Sequence, residues 1–438
     1  GTAVDLSKDR PFDLYYPAER SIYSYSSSRN SVSWYSIRPR ELGTYNYSIN
    51  LESRGEQTHV NGTIVVREQN VEIKVLNSTI LELDEANGEI LFDVFNREPS
   101  EGREVVITAA AGAEGRTLEG LDYLIGYPHG CPEQTMSPAL AVLRVKQYYE
   151  SRGQLNDERN DTYQAKMQQA YNQMKAPDGY NAQQLPIYTN YGDKSGGWAW
   201  GRNSAPSMFY TLYPNYVFSE LRQDMDNDPT YWGVDLTNES EINLTASTVW
   251  LLNKQGTNGG WSDWGYISNP YEWTGFISEM FVGEFGYLTP EGQRMVNESL
   301  NKSFNYLVRG NYASQSATPV AYAVFGIDAI RDHYADNATL DAQADAKLGE
   351  LQNRLLGLRQ GDAAKGYRWG SYEDTANAVL ALNRIGLPAE NETVRGGIRY
   401  LVSVYDTNGR WGNTRGTAAV IEALTQVQIP STVNFNVQ

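Results

Sequence analysis

From about residue 116 to residue 430 the chain repeats one arrangement: an aromatic residue closes a loop, and a helix-forming stretch follows at a set distance. Gly197-Trp198, Gly260-Trp261, Arg368-Trp369 and Arg410-Trp411 each end such a loop. Trp369 precedes Thr375 by six residues, Trp411 precedes Thr417 by six, and Tyr312 precedes Thr318 by six. The stretches that follow, TANAVLAL at 375–382 and TAAVIEAL at 417–424, carry apolar residues at helical spacing. A second helix fits between successive loops, as at Thr245–Lys254 and Thr393–Val404. Two helices in each period of roughly 40 to 65 residues describe stacked helix pairs, which close into a double ring, an α/α toroid. An irregular all-α domain is the plainer alternative. Two repeats are longer: Trp198 to Thr211 and Trp261 to Thr274 each span 13 residues. The extra stretch after Trp261, DWGYISNPYE, contains Gly and Pro and reads as loop, and insertions of this kind collect on one functional face.

The flanks follow a different rule. Tyr45, Tyr47, Ile49 and Leu51 alternate, as do Val71, Ile73 and Val75, and Ile90, Phe92 and Val94, so residues 1–110 read as β-strands separated by turns such as Asn61-Gly62. The alternation returns at Val433, Phe435 and Val437. The expected fold is therefore a multidomain α+β chain: β-sandwich segments first, then an α/α toroid inserted into a β domain whose halves pair across the insertion. An abrupt start at Gly1 and an end at Gln438 in an apparent strand read as a fragment of something longer.

Composition narrows the partners. The formal net charge of −17 disfavours nucleic acid and anionic membrane surfaces, and no apolar run approaches the roughly 18 residues of a spanning helix. Sequons at Asn46, Asn61, Asn77, Asn160, Asn238, Asn243, Asn297, Asn301, Asn337 and Asn391 exceed chance and point to a secreted or surface protein, with composition alone as the competing explanation. One cysteine and three scattered histidines, His59, His129 and His333, give no metal site of ordinary spacing, and no cofactor is expected.

That cysteine, Cys131, lies in GYPHGCPEQTMS at 126–137. Pro132 suits the second position of a β-turn, which makes Cys131 and Gln134 its ends and brings their Cα atoms within about 7 Å. Ser137-Pro138 then reads as an N-cap and first-turn proline of a helix running to about Glu150. The helix dipole would favour a thiolate or a developing oxyanion. A thiolate attacking the Gln134 carboxamide would expel ammonia and leave an internal thioester, an activated acyl group that amines, hydroxyls or water open. A buried, inert thiol in a turn is the competing reading of the tetrapeptide alone.

The longer string GYPHGCPEQTMSPAL closely resembles the thioester signature of the α2-macroglobulin and complement family. In this chain the lead-in is Tyr127-Pro128-His129-Gly130, with His129 in place of the usual second aromatic, and the core is Cys131-Pro132-Glu133-Gln134. The resemblance implies a thioester between Cys131 and Gln134, supported by Gly130, Pro132 and Glu133. It also implies the domain order: the end of a macroglobulin-type β-sandwich at 1–63, the first half of a CUB-like domain at 64–115, the thioester-containing toroid at 116–430, and the start of the returning CUB strand at 431–438. Members with His on a toroid loop transfer to hydroxyls, whereas members with Asn there react with amines. The corresponding position, eight after Trp261, is Asn269; the bland reading is a loop residue bonded to its own backbone. Without a nearby imidazole there is no acyl-imidazole intermediate, and a lysine amine needs none.

The implied function is stoichiometric covalent capture, not enzymatic turnover. Its partners would be target proteases or other amine-bearing proteins, together with further macroglobulin domains. It would act at the cell surface or outside the cell, or in the periplasm of a bacterium. A complement-like tagging or adhesion role through hydroxyl esters, a toroid enzyme of the prenyltransferase or cyclase kind, and a binding module with a spent thioester are the alternatives. Among nearby groups, His129 reads as filler of the aromatic slot or as a base for Cys131. Glu133 reads as a solvated helix-start carboxylate or as a base, and His333 as a surface residue.

Overall fold

The computed structural model describes residues 114–427 except 127–130, 175–195, 201–203, 240, 264, 363–364 and 407–408, together with strand segments 2–3, 12–14, 19–20, 37–39, 43–53 and 56–66. The chain divides into two units, Gly1–Lys74 and Val75–Gln438.

In the first unit, short strands β1 (Thr2–Ala3), β2 (Phe12–Leu14), β3 (Glu19–Arg20) and β4 (Ile37–Pro39) precede two long ones, β5 (Gly43–Ser53) and β6 (Glu56–Val66). The sheet order is β3-β1-β5-β6, and β2 pairs with β4. β5 and β6 form an antiparallel hairpin in full register from Gly43↔Val66 to Ser53↔Glu56. This corrects the expected turn at Asn61-Gly62, which lies inside β6 opposite Ser48 and Tyr47. The chain reverses instead between Ser53 and Glu56, and a continuous ladder of backbone hydrogen bonds outweighs the local turn preference of Asn-Gly. β6 thus runs past residue 63. The strands expected at Val71–Val75, Ile90–Val94 and Val433–Val437 lie outside the described residues.

The second unit is helical: α1 (Glu114–Gly126), α2 (Pro132–Ser151), α3 (Asp157–Met174), α4 (Met208–Met225), α5 (Leu244–Leu252), α6 (Pro270–Glu284), α7 (Pro290–Val308), α8 (Ala317–His333), α9 (Ala338–Leu358), α10 (Tyr372–Arg384), α11 (Glu392–Ser403) and α12 (Thr414–Gln426), with a small hairpin β7 (Gln360–Asp362) and β8 (Gly366–Arg368) before α10. Each even-numbered helix packs on the next, and α12 returns onto α2, so six helices close a ring. The odd-numbered helices sit outside it, α3 against α2, α5 against α4, α7 against α6, α9 against α8 and α11 against α10. The inner helices are buried nearly all round, which is why α2 lacks a polar face. Between α6 and α8 the backbones nearly touch: a Cβ on Gly275 would overlap the carbonyl of Tyr322.

Side-chain hydrogen bonds explain the aromatic-to-threonine spacing. The backbone N–H groups of Trp198, Trp261, Trp369 and Trp411 donate to the hydroxyls of Thr211, Thr274, Thr375 and Thr417, at 2.8, 3.1, 3.1 and 3.1 Å. Each of these threonines sits in the first turn of an inner helix and passes its own proton to the carbonyl four residues earlier. The indole N–H groups of Trp261, Trp369 and Trp411 donate to Leu251, Leu355 and Leu401, near the C-terminal ends of the outer helices α5, α9 and α11. One tryptophan therefore satisfies an end carbonyl of the outer helix and latches onto the start of the inner one. Tyr312 reproduces the first half, its hydroxyl donating to Leu307 at 3.0 Å, but Thr318 bonds Asp374 instead. The 13-residue repeats keep the same latch, so their extra length bulges out as loop.

Candidate functional site

Cys131 is the N-cap of α2, with extended backbone (φ −104°, ψ 171°), and Pro132 is the first helical residue, where its missing N–H costs nothing. The helix begins here and not after Ser137, and the Thr135 N–H donates to the Cys131 carbonyl at 3.0 Å. This corrects the expected β-turn and the expected Ser137 cap. Pro138 is tolerated inside the helix, although it cannot donate to the carbonyl of Gln134. The first helical turn does the work assigned to the β-turn: the Gln134 side chain folds back, and its Oε1 accepts from the Cys131 N–H at 3.4 Å, while the Gln134 N–H faces the sulfur. Thiol and carboxamide thus share one turn at a helix N-terminus.

The sulfur is buried, and burial pushes the Cys131 thiol up, with the nearby Glu133 charge adding to the rise. Backbone N–H groups of the first turn pull the other way but do not prevail. The first-turn N–H groups thus favour a thiolate as expected of a helix start, but desolvation opposes them and is the larger effect. As a leaving group in a thioester, such a sulfur favours taking up a proton.

Glu133 is buried, 9% exposed, which corrects its reading as a solvated carboxylate. Its Oε1 accepts from Ser137 Oγ at 2.9 Å and from Thr414 Oγ1, at the start of α12, at 2.7 Å. Ser137 has one proton, so Tyr213 of α4 donates in turn to Ser137 Oγ at 2.9 Å. Next along α12, Arg415 lies between Glu373 (3.0 Å) and Glu272 (3.6 Å), with its guanidinium over the Phe209 ring. Burial raises the Glu272 carboxyl to about 7; Arg415 pulls it down and Glu373 pushes it up. Every inner helix contributes a polar group to this end of the ring; from α8, Thr318 bonds Asp374 of α10, and the Tyr322 phenol lies close enough to interact with Arg415 and Glu272.

The long loop after Trp261 reaches the same place through Tyr266. Its ring stacks on Phe209 (4.7 Å), meets Tyr210 edge-on (5.9 Å) and shares a hydrogen bond with the Tyr210 hydroxyl, which is itself close enough to Cys131 to feel its charge. Tyr266 remains 63% exposed. Asn269 is the N-cap of α6: its Oδ1 accepts from the Tyr271 N–H at 2.9 Å and its Nδ2 donates to Gln315 Oε1 at 2.6 Å. Both ends of that side chain are thus engaged, in capping α6 and in the bond to Gln315. Tyr266, Tyr210, Tyr213, Thr414 and Arg415 were not singled out from sequence, and Ser137 only as a helix cap; the length of the loop carrying Tyr266 was the one signal for it.

Gly130 and His129 lie outside the described residues, as does Asn77. His333 is half-buried; its Nε2 meets Asn297 Oδ1 at 2.9 Å, its ring packs on Phe285, and burial lowers its basicity. Asn243, Asn337 and Asn391 cap α5, α9 and α11 through their side chains. Asn160 accepts from Tyr231, Asn301 donates to Asn297, and Asn46 accepts from Thr63. Asn61 is exposed on β6, and Asn238 lies in the loop before α5. Several sequons thus have a structural reason, because an Asn followed by a helix start is also a cap. Among the described residues there is no group of His, Cys, Asp and Glu able to hold a metal ion, and no helix is long and apolar enough to cross a membrane.

A family model described as "A-macroglobulin TED domain" matches residues 106–325, half of the chain. None of the curated proteins compared matches it. Among solved structures the chain is similar to Salmonella alpha-2-macroglobulin reacted with methylamine (16% identity, TM-score 0.46, covering 98% of this chain and 25% of that one). It is also similar to the native conformation of E. coli alpha-2-macroglobulin (16% identity, TM-score 0.43, covering 98% and 24%). The chain spans about a quarter of the length of these relatives.

Proposed function

Because the chain belongs to the alpha-2-macroglobulin and complement thioester-domain family, we propose that it forms an internal thioester between Cys131 and Gln134 and uses it to capture proteins covalently. The observation that carries this reading is the Gln134 side chain folded onto Cys131 at the buried start of α2. Loss of ammonia joins the sulfur to the Gln134 acyl carbon. A nucleophile on the target then takes the acyl group and releases the thiol, once per molecule. The targets are proteases or other proteins with accessible lysines, met outside the cell, at its surface, or in a periplasm. The aromatic cluster of Phe209, Tyr210 and Tyr266 keeps water from the bond.

Amine preference rests on Asn269 in the long loop and on the lack of a described histidine beside Cys131. The division at residues 63, 115 and 430 into macroglobulin end, CUB half, toroid and returning CUB strand, and glycan attachment at the sequons, remain parts of the same proposal. To test selectivity, the intact protein is offered methylamine and glycerol at equal concentration, and the adduct on residue 134 is identified by mass. Methylamide is the expected product, absent from Cys131→Ala; a predominant glycerol ester would favour the surface-tagging alternative.

A further inference from the structure

The thioester reading leaves one chemical problem open. At neutral pH a lysine side chain is an ammonium ion without a lone pair, and some group must take a proton before it can attack. Among the described residues no histidine stands at the site. Resting on the capture reading above, we propose that Glu133 is the base that deprotonates the incoming amine, through its Oε2.

Three observations place it there. Glu133 lies in the same helical turn as Cys131 and Gln134, and its charge reaches the sulfur. Its Oε1 is held by two hydroxyls from different helices, Ser137 of α2 and Thr414 of α12, so the carboxylate is fixed in direction by hydroxyls, with no ion pair to a described residue. Its Oε2 has no hydrogen-bond partner among the described residues, which leaves one oxygen of a nearly buried carboxylate to meet an ammonium. The groups around it are the Cys131 thiol and Ser137 on α2, the Tyr210 and Tyr213 phenols on α4, and Thr414 and Arg415 on α12. Both phenols stay protonated, because burial raises them far above the neutral range.

The step balances. The ammonium gives one proton to Glu133 Oε2, and the freed nitrogen lone pair attacks the acyl carbon supplied by Gln134. The carbon–sulfur bond breaks, the sulfur of Cys131 leaves with the electron pair, and it takes the second N–H proton. The products are an amide, a thiol and a neutral Glu133, which returns its proton to solvent.

The test compares two small amines on the intact protein at neutral pH, following thiol release and mass. Methylamine is an ammonium ion there and needs a base; hydroxylamine is already unprotonated and does not. In Glu133→Gln, which keeps an oxygen acceptor for Ser137 and Thr414, the methylamine-to-hydroxylamine rate ratio should fall by about 100-fold, and the deficit should close as pH rises towards the amine's own pKa. An unchanged ratio with the bond formed would overturn this proposal while leaving the capture reading intact. Should Glu133→Gln fail to form the bond, Thr414→Val, which keeps the carboxylate but loosens it, carries the same comparison. A fall in the ratio there supports the base, and equal slowing of both amines makes the network structural only. Wild-type protein that never loses ammonia would overturn the capture reading, and this proposal with it.

Discussion

Glu272 is the residue whose chemistry reports most directly on the polar end of the ring. Its carboxyl is raised from 4.5 to about 7, chiefly by burial, against the pull of Arg415. Between those two values the folded protein holds the proton more tightly than the unfolded chain, so Glu272 lowers stability as pH rises through that window and adds no further change above it. Glu284 behaves alike beside Arg222, so wild-type titration mixes the two. The difference in unfolding free energy between wild type and Glu272→Gln should therefore shift between pH 4.5 and about 7 and be level above about pH 8, measured by denaturant unfolding. A difference that stays flat throughout would mean the carboxyl is not perturbed. Nothing local in the sequence marked Glu272. The Cys131–Gln134 pair was legible because thiol and carboxamide lie three residues apart, within one turn. The burial of Glu133 was not, because its partner Thr414 is 281 residues away in the chain.

The elements themselves were legible wherever the pattern was repeated. The six-residue offset from Trp369 and Trp411 marked inner helices in the right places, yet its cause, a backbone N–H caught by a first-turn threonine, became visible only when helix and loop were packed together. Thr417→Val removes the acceptor for the buried Trp411 N–H and should cost about 1–3 kcal/mol, whereas Thr417→Ser should recover most of it; thermal or denaturant unfolding reads both. Equal loss in both variants would assign the threonine's role to its methyl group. The start of α2 lies six residues before the expected Ser137-Pro138 pair for a related reason. Ser-Pro is a familiar cap and first-turn pair, while cysteine is not a favoured cap, and only the surrounding helices show that Pro138 sits well inside. In the first unit, Asn61-Gly62 misled in the same way, because local turn preference yielded to pairing along the whole of β5 and β6.

At the scale of the molecule, the closing of the ring matters more than any one helix. α12 returns onto α2, and Thr414 joins its start to Glu133, so the last helix of the ring completes the surroundings of the thiol. The toroid needs its final repeat to build the site that its second helix carries. The β segments expected on both sides of the helical block fall largely outside the described residues, and the sequence alone speaks for them there. The central claim is the bond itself, and intact mass tests it. Protein kept cold and away from amines should weigh about 17 Da less than its sequence, through loss of ammonia, and methylamine should then add about 31 Da and expose one thiol. Full sequence mass, with Cys131 alkylatable and the Gln134 amide untouched before any amine is added, would contradict it.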